Sequence, residues 1–236
     1  MMLDLIDLCK TRDRHGVLRE MLTRRGVNYN VLPYAHGVNY EVVFGERPRR
    51  VIGAHHDIVT RGDGANDNTA SVVELVELAT KLTRERFIGD LRIVFFDNEE
   101  LLCRGAFDEM GSAEYAKHTT NETEEAIVLD VCGAGDVLVV SGLWHRAKLS
   151  APFENWLMKK ENTVRITTPP SDDVSFLRYG VPVTLMCTLP ETESAPGDRR
   201  LTWERLHTAG DSIETVNEDT MELVVSTLYD YVTGRA

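Results

Sequence analysis

The chain has 236 residues, 42% hydrophobic and 27% charged, with 38 acidic against 26 basic side chains and a formal charge of −12. That size and composition suit one α/β domain that buries a core without staples. The acidic balance argues against nucleic acid, which needs a Lys/Arg-rich surface, and no apolar run approaches the roughly 18 residues of a membrane span.

Taken in order, the N-terminus M-M-L-D-L-I-D-L-C-K has early acids and no basic leader, so a cytoplasmic protein is expected. The four cysteines, Cys9, Cys103, Cys132 and Cys187, are scattered without a C-x-x-C pair, which fits free thiols. Leu3 to Arg25 is helical in pattern, its early part separable as a short turn, with Leu18, Met21 and Leu22 on one face. Arg24-Arg25-Gly26 stops it. Val27 to Pro33 and Asn39 to Phe44 read as strands around a turn at His36-Gly37, so the sheet should be antiparallel at this edge. Val51 to Ala54 is a short apolar strand. Arg61 to Ser71 is a Gly/Asn/Asp loop opening a helix from Ser71 to Leu82, with Val72, Leu75, Val76 and Ala79 inward and Glu74, Glu77 and Lys81 outward. Ile93 to Phe96 is a buried strand. Leu101 to Lys117 reads as helix broken at Gly105, Ala126 to Leu129 and Val137 to Val140 as strands, and Ala151 to Lys160 as helix. Val164 to Asp173 is a loop, Val181 to Cys187 a strand, Leu189 to Arg205 a polar loop, and Glu218 to Val232 the last helix.

Three apolar strands stop at polar groups. The first delivers His55-His56-Asp57, where alternation puts His55 and Asp57 on one side and His56 on the other. The second stops at Asp97-Asn98-Glu99-Glu100, the third at Asp130. Ligands of open α/β sheets bind beyond the carboxyl ends of the strands. Singly, each motif has a plain alternative: a solvated Glu pair at a helix start, a surface His pair, an N-cap at Asp67 or Asn68. Together with Asp67 and His207 they form a set of imidazoles and carboxylates that suits zinc, and also cobalt, nickel or manganese. Charge favours two metals. His55, Asp67 and Asp130 on one side and Asp67, Glu100 and His207 on the other, with Asp67 shared and one hydroxide, balance two divalent cations. Glu99 is then left over as an unbound general base.

The motifs stand in order as Gly53-Ala54-His55-His56-Asp57, Gly64-Ala65-Asn66-Asp67-Asn68-Thr69-Ala70-Ser71, Glu99-Glu100, Asp130-Val131-Cys132-Gly133, Ser171-Asp172-Asp173-Val174-Ser175-Phe176 and His207-Thr208-Ala209-Gly210-Asp211. This series resembles the zinc aminopeptidases of peptidase family M28. The resemblance implies an α/β fold, a three-layer α/β/α sandwich with a central mixed sheet of the zinc-aminopeptidase (phosphorylase/hydrolase-like) type. The chain is short for that family, so a single catalytic domain over residues 1–236 without an inserted lid is expected, leaving the cleft open or covered by a second copy in a homo-oligomer. By the same resemblance Glu99 is the base, Glu100 and His207 hold one zinc, and His55 and Asp130 hold the other. The Asp67 carboxylate bridges them, about 3.5 Å apart, its peptide to Asn68 is cis, and Asp57 orients His55. His56 and Asp173 depart from the family's usual residues.

The implied function is a metallo-aminopeptidase acting on a peptide or small amide through a metal-bridged hydroxide, without nucleic-acid or membrane partners. A glutaminyl cyclase with one zinc on Asp67, Glu100 and His207 is the alternative. Phe95-Phe96-Asp97 resembles that branch, but Leu206 stands where those cyclases carry Trp, and Trp203 is off register. A carboxypeptidase or other dinuclear amidohydrolase, and a receptor-like non-enzyme, are further readings.

Overall fold

The computed structural model describes residues 1–59, 61–141, 151–195 and 197–235. Strands and helices alternate along the chain: α1 (Met2–Lys10), α2 (Arg14–Arg24), β1 (Asn30–Pro33), β2 (Val38–Phe44), β3 (Arg50–His55), α3 (Ala70–Arg84), β4 (Leu91–Phe96), α4 (Gly111–Thr119), β5 (Glu125–Leu129) and β6 (Val137–Ser141), followed by α5 (Pro152–Leu157), β7 (Thr163–Ile166), α6 (Asp173–Arg178), β8 (Val183–Leu189), α7 (Leu201–Arg205) and α8 (Glu218–Thr233). They build one eight-stranded mixed sheet in the order β1-β2-β4-β3-β5-β8-β6-β7. The centre, β4-β3-β5-β8, is parallel. The expected antiparallel edge is present, β1 on β2 and β2 on β4.

Alternation along the central strands feeds two cores. Ile52, Ile93, Phe95, Ile127 and Leu129 face helices α1, α2, α3, α5 and α8. Val51, Val94, Phe96 and Val128 face the other way, onto Tyr115 of α4 and Phe176 of α6. This is the expected α/β/α layering. Gly53 is needed where it stands, because a Cβ there would lie 2.2 Å from the Phe96 ring.

Several sequence expectations shift. The first helix splits in two, and Asp13 caps α2 by accepting from the Gly16 amide at 2.8 Å. The segment after β4 starts as a 3₁₀ turn, Glu99–Arg104, and becomes α-helical only at Gly111. The strand expected at Val181 begins at Val183 and runs to Leu189. A short strand, β7, and a short helix, α7, occupy segments expected to be loops. Glu74, expected outward, is fully buried. Helix α3 touches β3 and β4 on one side and α1, α2 and α8 on the others, so it has no solvent stripe at that position.

Cys9, Cys132 and Cys187 are buried free thiols; the Cys103 side chain lies outside the described residues. Among the described residues, no helix is long and apolar enough to cross a membrane.

Candidate metal centre

Neighbouring parallel strands β4, β3 and β5 end side by side at Phe96, His55 and Leu129, so Glu99, Glu100, His55 and Asp130 emerge at one edge. Asp67 comes from the irregular turn Ala65–Thr69 before α3, and its peptide to Asn68 is cis, as expected. His207 follows α7 with a left-handed backbone, φ 59°.

The side chains converge as two sets. His55 Nε2 lies 3.3 Å from Asp67 Oδ1 and 3.6 Å from Asp130 Oδ1. His207 Nε2 lies 3.2 Å from Asp67 Oδ2 and 3.0 Å from Glu100 Oε2. Each oxygen of Asp67 therefore faces a different imidazole. His55 Nε2, both Glu100 oxygens and Asp130 Oδ1 are buried yet make no hydrogen bond. Buried polar atoms without partners are rare and costly. Donor atoms that crowd together at ligand-to-ligand spacing without bonding one another fit a cation between them. Among the described residues, both triads meet the spacing of a metal site.

The surroundings hold these groups in place. Asp57 approaches His55 Nδ1 at 3.4 Å with Oδ1, and its two oxygens accept from the amides of Glu99 (3.0 Å) and Glu100 (3.1 Å). The Asp57 carbonyl accepts from His55 Nδ1 at 3.2 Å, so Asp57 holds both the His55 ring and the backbone of the Glu pair, the kind of support that orients metal-binding histidines. Asp211 steadies the turn that carries Asp67, accepting from the amides of Asn66 (2.8 Å) and Asp67 (3.2 Å). Asn68 donates to the Leu129 carbonyl at 2.8 Å, tying the turn to the end of β5. The role of Asp211 was not legible in the sequence, although the residue closes the motif that begins at His207.

Electrostatics report a site with too much negative charge. Burial raises Glu99 well above its ordinary range, and Asp130, Asp172 and Asp67 add to this against the pull of His55. Burial and Asp67 push Glu100 up to about 7. Burial alone would lower His55, but Glu99, Asp130, Asp57 and Asp67 carry it well above its usual value. Asp67 holds His207 up at about 9, while both imidazoles, outweighing burial, keep Asp67 itself low.

Asp172 is a second omission. It is fully buried with both oxygens unpartnered, and burial, Asp57 and Asp130 push it up to about 7. A cavity of about 380 Å³ opens beside Asp67, Glu99, Asp130 and His207, walled by Leu102, Val131, Leu185, Trp203 and Leu206. The two family departures stay out of it. Asp173 accepts from the Ser171 amide at 2.8 Å. His56 points away from His55, with Nε2 3.1 Å from the Val38 carbonyl. A cavity of about 460 Å³ elsewhere is lined by Arg49, Arg92, Glu122 and Glu124, which pair with one another.

The fold has known counterparts. A zinc aminopeptidase from Bacillus subtilis, BSAP, is similar at 23% identity and a TM-score of 0.64, over 83% of this chain and 50% of that one. A glutaminyl cyclase from Porphyromonas gingivalis is similar at 20% identity and a TM-score of 0.77, over 100% of this chain and 97% of that one. The LapA aminopeptidase of Legionella pneumophila is similar at 16% identity and a TM-score of 0.74, over 98% and 69%. The chain thus spans about half the length of the Bacillus enzyme and nearly all of the cyclase. No curated protein sequence matches it. The sequence profile of peptidase family M28 matches residues 43–232, a span that runs from β2 into α8 and contains every residue of the centre, and on that match the chain belongs to family M28.

Proposed function

We propose that the chain is a zinc-dependent metallopeptidase that removes N-terminal residues from peptides. The observation that carries this reading is Asp67, whose two oxygens face His55 and His207 separately. His55 and Asp130 would hold one zinc, Glu100 and His207 the other, and Asp67 both. Held there, the metals would supply a nucleophile at neutral pH and polarise the carbonyl. Glu99 stands 3.9 Å from His55 Nε2, beside the ligands. Its buried carboxylate takes the proton of the attacking water and returns it to the leaving amine. Asp57 keeps the Glu99 amide and the His55 ring in register during that transfer. The apolar cavity wall of Leu102, Leu185, Trp203 and Leu206 suits an apolar side chain at the scissile end.

The second reading is a cyclase acting on N-terminal glutamine, favoured by the full-length match to the Porphyromonas enzyme. In that reading the triad of Asp67, Glu100 and His207 holds one zinc, and Glu99 shuttles protons during ring closure. Leu206 in place of Trp before His207 weighs against it. Turnover of aminoacyl reporters and of N-terminal glutaminyl peptides, measured beside the zinc held at the centre alone, separates the two. Release of apolar aminoacyl groups with two zinc ions at the centre is expected. Ammonia release from glutaminyl peptides with no aminoacyl hydrolysis would replace the first reading by the second.

A further inference from the structure

A second cluster lies behind the centre, on the side of β3 to which His56 points. We propose that His15, His56 and Asp97 form a separate divalent-metal site, taking zinc or another imidazole-preferring transition ion. One ligand atom from each of the three lies within 4.8 Å of the other two. His15 Nε2 stands 3.7 Å from Asp97 Oδ2, too far for a hydrogen bond. It is close to the 3.6 Å between His55 Nε2 and Asp130 Oδ1 in the first centre. The rings of His15 and His56 meet edge to face, with centroids 4.8 Å apart.

Each group is fixed from behind. His56 Nε2 meets the Val38 carbonyl at 3.1 Å; a carbonyl only accepts, so the proton sits on Nε2 and the lone pair on Nδ1. The Val38 amide donates to Asp97 Oδ2 at 2.9 Å, leaving that oxygen a further lone pair. His15 Nδ1 is 3.1 Å from the Tyr40 hydroxyl, which leaves Nε2 for the cluster. Ligating histidines are commonly oriented in this way through their second nitrogen. Two imidazoles and one carboxylate, with water in a fourth position, make a common zinc donor set. Entry is through His15, whose side chain is 46% exposed, while Asp97 is almost enclosed. A metal here would pin α2 to the ends of β2, β3 and β4 without touching Glu99 or the ligands of the first centre.

The test counts metal. Zinc bound per chain at saturation is measured by equilibrium dialysis and elemental analysis for the wild type, His15→Ala and His15→Gln, and for each in an Asp67→Asn background. The expected result is one equivalent fewer in both His15 variants, in either background. That loss keeps its meaning whether or not Asp67→Asn changes the count, so failure of the peptidase reading and failure of this site are distinguishable. A wild-type measurement guards against misfolded variants: the His15 imidazole nitrogen resonances should shift as zinc is added. Unchanged stoichiometry in both His15 variants, or unmoved His15 resonances at zinc saturation, overturns the site.

Discussion

Glu99 and Glu100 carry the same functional group on adjacent residues, and their surroundings differ. Glu100 Oε2 lies 3.0 Å from His207; Glu99 reaches only the His55 side, and burial with the neighbouring carboxylates raises it well above its ordinary range where Glu100 rises to about 7. Glu99→Gln keeps size and hydrogen bonding but removes the base. It should retain zinc and lose about 10²–10⁴-fold in kcat, the usual contribution of a general base. Glu100→Gln removes a charged ligand, so it should lose zinc and recover part of its activity in excess metal. Metal content measured beside turnover decides; loss of zinc by Glu99→Gln with full retention by Glu100→Gln would reverse the roles. The five proposed ligands and the proposed base were legible as candidates in the sequence because they sit where apolar strands stop or where a short motif fixes them. Asp211 and Asp172 were not. Asp211 acts on amides 145 and 144 positions away in sequence, and Asp172 matters through its burial next to other carboxylates, which local sequence does not show.

At the level of elements, the apolar runs of β3, β4 and β5 announced the parallel centre of the sheet, and the polar residue after each run marked its functional edge. Short, half-exposed pieces carried no such signal. β7, Thr163–Ile166, has one buried residue in four, and α7 is a single turn inside a charged loop. Helix α3 misled in the opposite way, because its period marked an inner face but not the helices that cover its back. The consequence is Glu74, fully buried, with both oxygens unpartnered and the carboxyl raised well above its ordinary range by burial. An acid with a raised folded pKa binds more protons folded than unfolded. Its cost is absent below the unfolded value of 4.5 and grows as pH rises toward the folded value, at up to about 1.4 kcal/mol per pH unit. Glu74→Met, which keeps volume and removes the charge, should therefore stabilise the protein, and by more at pH 8 than at pH 5. Urea midpoints at the two pH values test this; an equal shift at both would show that Glu74 does not titrate on unfolding.

For the whole molecule, the centre couples stability to metal and pH together. Without metal, Glu100 and Asp172 titrate near 7 and His207 near 9. Glu100 and Asp172 bind more protons folded than unfolded between their ordinary values, 4.5 and 3.8, and about 7. His207 does so between 6.5 and about 9. All three act in one direction: the stability of the metal-free protein should fall as pH rises from about 5 to about 9. Asp67, held low by the two imidazoles, acts oppositely, but only in acid, where its contribution is lost as pH falls below 3.8. Zinc held by these residues would take over the role of those protons, since it needs the carboxylates ionised and the imidazoles neutral and stabilises by mass action the folded state that binds it. Chelation should therefore lower Tm little near pH 5 and progressively more toward pH 8, with the gap restored by added zinc. Scanning calorimetry of zinc-loaded and chelated protein across that range measures it. A gap that shrinks with rising pH would mean that the converging carboxylates and imidazoles do not hold the metal, because protonation of the same atoms is what competes with it.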